Sequence, residues 1–166
     1  VLSNDPVVYI DDRWLYEREE EIMPICELDI SQQGPKVIQE GEELTLVGAG
    51  YTTYQCEKVA DALRAQGVSV EVVDLRIINP FVPDVVVDSV KKTGRLCVVD
   101  GGWSTCGLAG EVIASVSESM PLEKWRDKPI RITLPDCPAP TSQILENNYY
   151  PDEDKITNTI IPPGTM

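Results

Sequence analysis

Apolar and polar positions follow different periods along this chain, and the switches between them mark its elements. Leu44-Thr-Leu-Val-Gly-Ala49 and Val68 to Val73 are short, nearly continuous apolar runs, the pattern of strands buried on both faces of a parallel sheet. Between them Cys56, Val59, Ala60 and Leu63 recur at i, i+3, i+4 and i+7 and predict one face of a helix. Thr52, with Gln55 three residues on, has the form of a capping box, and Gly67 stands at the helix's C′ position. From Asp84 to Thr93 the run Val85-Val86-Val87 has strand propensity. An acid at its start, Lys91 and Lys92 at its end and Gly94 beyond predict a helix instead. Leu96 to Val99 and Ile130 to Leu134 read as further parallel strands, with Gly101-Gly102 a turn. Leu108, Val112 and Val116 mark a helix ending near Ser119. Asp152 to Ile161 reads as a short helix ended by Pro162-Pro163-Gly164.

Ahead of this series, Lys36 to Gln39 is a strand and Gly41-Glu42-Glu43 a turn, which predicts a hairpin onto Leu44 with an antiparallel edge strand. The order is a hairpin followed by β-α-β-α-β-α-β, so the class is α/β, with right-handed crossovers laying helices on both faces of a twisted sheet. Pro6-Val-Val-Tyr-Ile10 reads as a separate strand on β-branched and aromatic content. Asp11 to Asp29 then has no sustained period, and the turn Ser31-Gln32-Gln33-Gly34-Pro35 closes it. The expected division is residues 1–34, the end of a preceding domain plus linker, and residues 35–166, an α/β domain.

Composition narrows the function classes. With 42% hydrophobic and 25% charged residues the chain can bury a core, and no apolar run approaches the ~20 residues needed to cross a bilayer. Twenty-eight acidic against 14 basic residues give a net charge of -14, which argues against nucleic acid and anionic membranes as partners and leaves a basic protein open. There is no histidine, which excludes Ser/His/Asp and Cys/His nucleophile pairs and HExxH zinc sites within these residues. Five cysteines (26, 56, 97, 106 and 137), an odd set without a CxxC pair, favour a reducing compartment over a disulfide framework. The opening at Val1 rather than Met suggests a piece of something longer.

Ligands of open parallel sheets bind outside the carboxyl ends of the strands. Four loops qualify here: Gly48 to Thr53, Leu75 to Pro83, Asp100 to Gly107 and Pro135 to Pro140. The first, with Asp74 24 residues past Gly50, has two readings. One is the start of a nucleotide fingerprint with Thr53 at the third glycine position; the other, favoured, is a tight turn that needs glycine for backbone reasons. Asp100 and Glu111 flank the third loop, which holds Ser104 and Cys106. Without histidine neither has a conventional base, and the two carboxylates read as strand-end and helix-surface charges. Trp103 reads as a packing or interface anchor, the loop of three prolines as a structural turn, and no Asp/Glu/Cys cluster has metal-ligand spacing.

Several stretches together resemble the beta subunit of thiamine-diphosphate-dependent, pyruvate dehydrogenase-like 2-oxo acid dehydrogenases. They are Pro6-Val-Val-Tyr-Ile10, Leu15-Tyr16, Lys36-Val-Ile-Gln-Glu-Gly41, Val70-Glu-Val-Val-Asp-Leu-Arg76 and Ser89-Val-Lys-Lys-Thr-Gly-Arg-Leu96. Gly102-Trp-Ser-Thr-Cys-Gly107 and Pro135-Asp-Cys-Pro-Ala-Pro140 continue the match. The resemblance spans nearly the whole chain and implies that family's carboxy-terminal, transketolase-like domain, a three-layer fold whose mixed five-stranded sheet has four parallel strands and one antiparallel edge strand. Transketolase and deoxyxylulose-phosphate synthase are the nearest alternatives.

The resemblance further implies a dimerisation and assembly domain of an enzyme that oxidatively decarboxylates a 2-oxo acid and transfers the acyl group to lipoamide. Its implied partners are an alpha subunit, a second beta subunit and the basic subunit-binding domain of the acyltransferase component. Thiamine diphosphate and magnesium belong to the full enzyme, with none expected on this chain and no catalytic residue carried over. Arg13 resembles a transketolase-type substrate arginine, although Asp11-Asp12 departs from the pattern and a surface arginine is the favoured reading. Gly101 stands where relatives carry Glu, and Gln143 where some carry His. The implied location is the bacterial cytoplasm, or the mitochondrial matrix or plastid of a eukaryote.

Overall fold

The computed structural model describes residues 6–16, 18, 19, 21 and 33–161. Five strands form one sheet: β1 (Lys36–Gln39), β2 (Leu44–Gly48), β3 (Val70–Asp74), β4 (Leu96–Trp103) and β5 (Ile130–Leu134), in the order β1-β3-β2-β4-β5. β1 runs antiparallel to β3, and the other neighbours are parallel. The helices are α1 (Tyr51–Ala65), α2 (Asp84–Thr93), α3 (Leu108–Ser119), α4 (Gln143–Tyr149) and α5 (Glu153–Ile160).

Period-2 alternation divides the sheet between two cores. Leu44, Leu46, Val70, Val72, Cys97 and Val99 pack with Cys56, Val59, Ala60 and Leu63 of α1 and Ile156 of α5. Val47, Val73, Val98 and Leu96 pack with Val86, Val87 and Val90 of α2 and Val112 and Val116 of α3. Helices therefore cover both faces, in the three-layer arrangement expected.

The end signals of α1 and α2 act as their chemistry dictates. Gly67 takes φ 87°, its N–H bonds the Arg64 carbonyl and the Val68 N–H reaches Leu63, a Schellman closure. In α2 the valine run is helical because three of its side chains lie on or beside the second core, and Gly94 ends the helix at φ 74°.

Four expectations are corrected, and one helix is added. β1 does not pair with β2, because β3 lies between them. β2 and β3 are apolar on both faces and take inner positions, whereas β1 alternates exposed and half-buried residues and suits an edge. The turn instead runs tightly past β3, where a Cβ on Gly41 would lie 2.1 Å from the Val70 carbonyl carbon. Gly101-Gly102 belongs to β4, whose pairing with β5 shifts register between Val99 and Trp103. Thr52 and Gln55 form no capping box: the Thr52 hydroxyl bonds the Ala49 N–H, and Gln55 Nε2 donates to the Pro151 carbonyl at 2.6 Å. α4 was not foreseen. Pro6–Ile10 forms no strand, since no neighbouring strand pairs its backbone, and Val8, Tyr9 and Ile10 are more than four-fifths exposed. The proposed stop at Pro162-Pro163-Gly164, Cys26 and most of the linker lie outside the described residues.

Candidate functional site

β2 leads through α1 to β3 on one side, and β3 leads through α2 to β4 on the other, so the crevice between the carboxyl ends of β2 and β4 is a topological switch point. A cleft of about 260 Å³ opens there. Its floor is Ala49, Thr52 and Gly101, and its walls include Gln55, Tyr51, Tyr150, Trp14 and Asp12. Trp14 and Asp12 come from a 3₁₀ turn (Arg13–Leu15) capped by Asp12, whose Oδ1 accepts the Trp14 N–H at 3.0 Å. Trp14 packs edge-on to Tyr51 with ring centroids 5.0 Å apart and lies 5.2 Å from Tyr150. Burial first, then the nearby Glu153 carboxylate, pushes the Tyr51 phenol above its ordinary value.

The glycine loop is built for a tight turn. A Cβ on Gly48 would lie 2.6 Å from the Thr53 nitrogen, and Gly50 enters the helix at φ 60°. Thr53, at the third glycine position of the nucleotide pattern, donates its hydroxyl to Asp74 Oδ1 at 3.1 Å, and the same oxygen accepts the Arg76 N–H at 3.3 Å. The carboxylate that a ribose would need is thus engaged by the fold, in line with the tight-turn reading.

At the third loop both oxygens of Asp100 are used: Oδ1 accepts the Gly102 N–H at 2.8 Å, and Oδ2 the Ala109 N–H at 2.9 Å. Gly107 offers α3 no side-chain cap, so a strand-end aspartate from β4 satisfies the first turn of that helix. Glu111 is exposed on α3, its Oε1 3.5 Å from the Ser115 hydroxyl, and is not joined to Asp100. The two carboxylates are the strand-end and helix-surface charges expected.

The third and fourth loops are tied together. Thr105 donates its hydroxyl to Asp136 Oδ2 at 2.6 Å and its N–H to Oδ1 at 3.4 Å, while Arg131 donates to the Ser104 carbonyl. These hydrogen bonds, the Thr105 hydroxyl foremost, lower the Asp136 carboxyl below its usual value. Trp103 Nε1 donates to the Tyr149 hydroxyl at 3.2 Å, which donates to the Cys137 carbonyl at 2.7 Å. Trp103 remains half exposed, as an anchor would, and α4 presents Ile144 and Leu145 to solvent.

Arg13 is exposed on the 3₁₀ turn, and the cleft takes its neighbours on either side rather than Arg13 itself. Gln143 is exposed at the start of α4, and Gly101 lines the cleft. Sequence reasoning had Tyr51 within a candidate loop but missed Trp14, Gln55 and Tyr150 as cleft residues. The signal available was aromatic content at Trp14 and Tyr149-Tyr150. Among the described residues no group of three or more Cys, Asp or Glu side chains is placed to hold a metal ion, and no helix is long and apolar enough to cross a membrane.

The family model for the transketolase C-terminal domain matches residues 34–156. The chain is 32% identical over 160 residues to the pyruvate dehydrogenase E1 component subunit beta of Bacillus subtilis, an alignment covering 96% of this chain and 48% of that protein. Its identity to the Staphylococcus aureus counterpart is 35% over 157 residues, 94% of this chain and 47% of that one. The chain spans about half the length of the curated relatives it matches. Among solved structures, a split-gene transketolase described as an inactive beta4 tetramer superposes with a TM-score of 0.69 at 21% identity, covering 86% of this chain and 44% of that chain. A 2-oxoglutarate:ferredoxin oxidoreductase from Magnetococcus marinus gives 0.52 at 13% identity, over 77% of this chain and 19% of that one. At such identities these two likenesses show the fold alone.

Proposed function

The chain belongs to the transketolase C-terminal domain family, and from that premise we propose that it is the assembly domain of the beta subunit of a pyruvate dehydrogenase-like 2-oxo acid dehydrogenase. In this reading the parent enzyme oxidatively decarboxylates a 2-oxo acid and passes the acyl group to lipoamide, with the chemistry carried outside these residues. One observation carries the reading. The carboxylates at or near the carboxyl ends of β3, β4 and β5, Asp74, Asp100 and Asp136, are bonded to the fold's own N–H and hydroxyl groups, and Glu111 is exposed on α3.

The cleft does not fit the diphosphate-metal end of thiamine diphosphate. Among the described residues its one charged lining side chain is the Asp12 carboxylate, which repels a diphosphate, and none of them forms a metal-holding cluster. No step of the reaction is therefore assigned to these residues.

Assembly with an alpha subunit and a second beta subunit is supported by two features of the surface. Trp103 is tied to Tyr149 of α4, and α4 leaves Ile144 and Leu145 more than half exposed, so exposed apolar side chains belong to linked elements at one end of the sheet, as an interface needs. The charge of -14 suits a basic subunit-binding domain of the acyltransferase component. A reducing compartment, whether bacterial cytoplasm, mitochondrial matrix or plastid, completes the proposal.

Titration of magnesium and thiamine diphosphate into the chain alone, and again after adding the alpha subunit and the amino-terminal part of the beta subunit, tests it. Binding restricted to the assembled sample is expected. Saturable binding to the chain alone would overturn the assignment of the chemistry to other residues.

A further inference from the structure

Four cysteines are described, and they divide by position. Cys56 and Cys97 are buried in the first core, where burial raises the Cys56 thiol well above its ordinary value and pushes Cys97 up to about 12. Cys106 and Cys137 are exposed and free, one in the loop after β4 and the other in the loop after β5.

Those two thiols occupy corresponding places. Trp103 and Leu134 are register partners at the end of the parallel pair β4–β5, and each cysteine lies three residues beyond its partner. Two residues beyond the same pair, the Asp136 carboxylate accepts both the N–H and the hydroxyl of Thr105, so a side chain ties the two loops together one residue before the cysteines. Strands leave a pair roughly 4.8 Å apart, within the Cα separation of roughly 4.4–6.8 Å that a disulfide spans, and Cys106, at φ 56°, sits in the turn that follows β4. The Tyr149 hydroxyl accepts from Trp103 Nε1 and donates to the Cys137 carbonyl, a second tie between the end of β4 and the fourth loop.

From this pairing of loops we propose that Cys106 and Cys137 form a redox-active thiol pair, which a small disulfide such as oxidised glutathione closes into an intrachain bridge between the two loops. One cysteine, as thiolate, attacks oxidised glutathione, forms a mixed disulfide and releases one glutathione thiolate. The second cysteine attacks the cysteine sulfur of that mixed disulfide, the bridge forms and a second glutathione thiolate leaves. Each glutathione thiolate takes up the proton that a cysteine gave to water, so two thiols and one oxidised glutathione yield one bridge and two reduced glutathiones. The bridge clamps the loop that carries Trp103 to the loop that precedes α4. It is a reversible modification and agrees with a reducing compartment, where cysteine pairs serve as switches rather than staples.

The test is equilibration of the purified native protein with oxidised and reduced glutathione, followed by intact mass and non-reducing peptide mapping. A Cys26→Ser variant removes the cysteine outside the described residues as a competitor. Loss of two hydrogens with a Cys106–Cys137 linked peptide is expected, together with one retained glutathione when either cysteine alone is changed to serine. Asp136→Ala, which removes the tie at Thr105, is expected to slow closure about tenfold by lowering the effective concentration of one thiol at the other. Two separate glutathione adducts in the wild-type protein, a bridge to Cys26 or to a second molecule, or closure unaffected by Asp136→Ala would each overturn the proposal.

Discussion

The two ends of this sheet treat acidic side chains in opposite ways. At the amino end Glu71 of β3 is 1% exposed beneath α2, paired with the Lys92 ammonium and accepting the Gly41 N–H at 3.3 Å. Beside it, the Thr45 hydroxyl lies 2.7 Å from those of both Ser89 and Thr93, and Thr93 donates to the Arg95 carbonyl. At the carboxyl end Asp74, Asp100 and Asp136 meet no ammonium and are held by N–H and hydroxyl donors. A deep carboxylate needs an opposite charge to remain ionised, whereas one at a strand end can borrow the unpaired donors of the next helix or loop. The Lys-Lys-Thr-Gly-Arg-Leu stretch that made the resemblance specific therefore works at the amino end: Lys92 and Thr93 fill the polar layer and Gly94 turns the chain. It marks how the fold is held, while the cleft at the other end is lined by aromatic rings and, among the described residues, by one charged side chain, Asp12.

The largest break in this comparison is expected from Glu71→Ala. It leaves the Gly41 N–H without an acceptor and Lys92 with only the exposed Glu40, 3.1 Å away. A loss of about 3 kcal/mol is expected, at the low end for breaking a buried pair because Lys92 keeps access to water. Urea unfolding measures it, and a loss below about 1 kcal/mol would place the pair with ordinary surface bridges. The same pair sets a pH window. Burial acts to raise the Glu71 carboxyl, but Lys92, Ser89 and the Gly41 N–H together hold it below its ordinary value of 4.5. Its contribution is thus fully present above 4.5 and is lost as pH falls through the lower folded value. Lys92 is raised above 10.5, by Glu71 foremost, so its contribution is present below 10.5 and is lost as pH rises through the folded value. In Glu71→Gln both limbs of the stability-pH curve should flatten, and a retained acid limb would assign it to another carboxylate.

A smaller effect is expected at the other end. Asp100→Ala leaves the Gly102 and Ala109 N–H groups unmatched at a site that is 7% exposed, and should cost about 2 kcal/mol. Asp100→Asn, which keeps one acceptor, should recover part of this and leave turnover of the assembled enzyme near that of the wild type. Turnover lost without a stability loss would make Asp100 a participant in chemistry and erase the contrast between the two ends.

The parts of this arrangement that were legible in sequence are those set by local chemistry. Gly67 and Gly94 stop helices because only a residue tolerant of positive φ fits there, and the charged ends of α2 signalled the helix through three consecutive valines that its packing then accommodates. What stayed hidden depends on partners remote in sequence. Nothing in Lys36–Gln39 says that β3 rather than β2 lies beside it. Thr52 and Gln55 look like a cap because the acceptor of Gln55, 96 residues distant, does not appear in a local pattern, while Thr52 turns back onto Ala49. α4 buries only Tyr149 and leaves Ile144 and Leu145 outside, so it has no apolar stripe to read. The cleft draws its rings from positions 14, 51 and 150, which no spacing rule connects.

The least costly break should be Tyr149→Phe. It removes the hydroxyl between Trp103 Nε1 and the Cys137 carbonyl while keeping the buried ring. Both orphaned groups belong to residues that face water, so the loss should be about 1 kcal/mol, with the Trp103 indole N–H resonance moving to a solvent-exposed position in the NMR spectrum. Comparison with Glu71→Ala then separates two kinds of polar network in one sheet. Where water can replace a lost partner the fold tolerates the change, and where it cannot the same number of missing hydrogen bonds costs several times more. A Tyr149→Phe loss as large as that of Glu71→Ala would show that the carboxyl-end loops are sealed as tightly as the layer under α2.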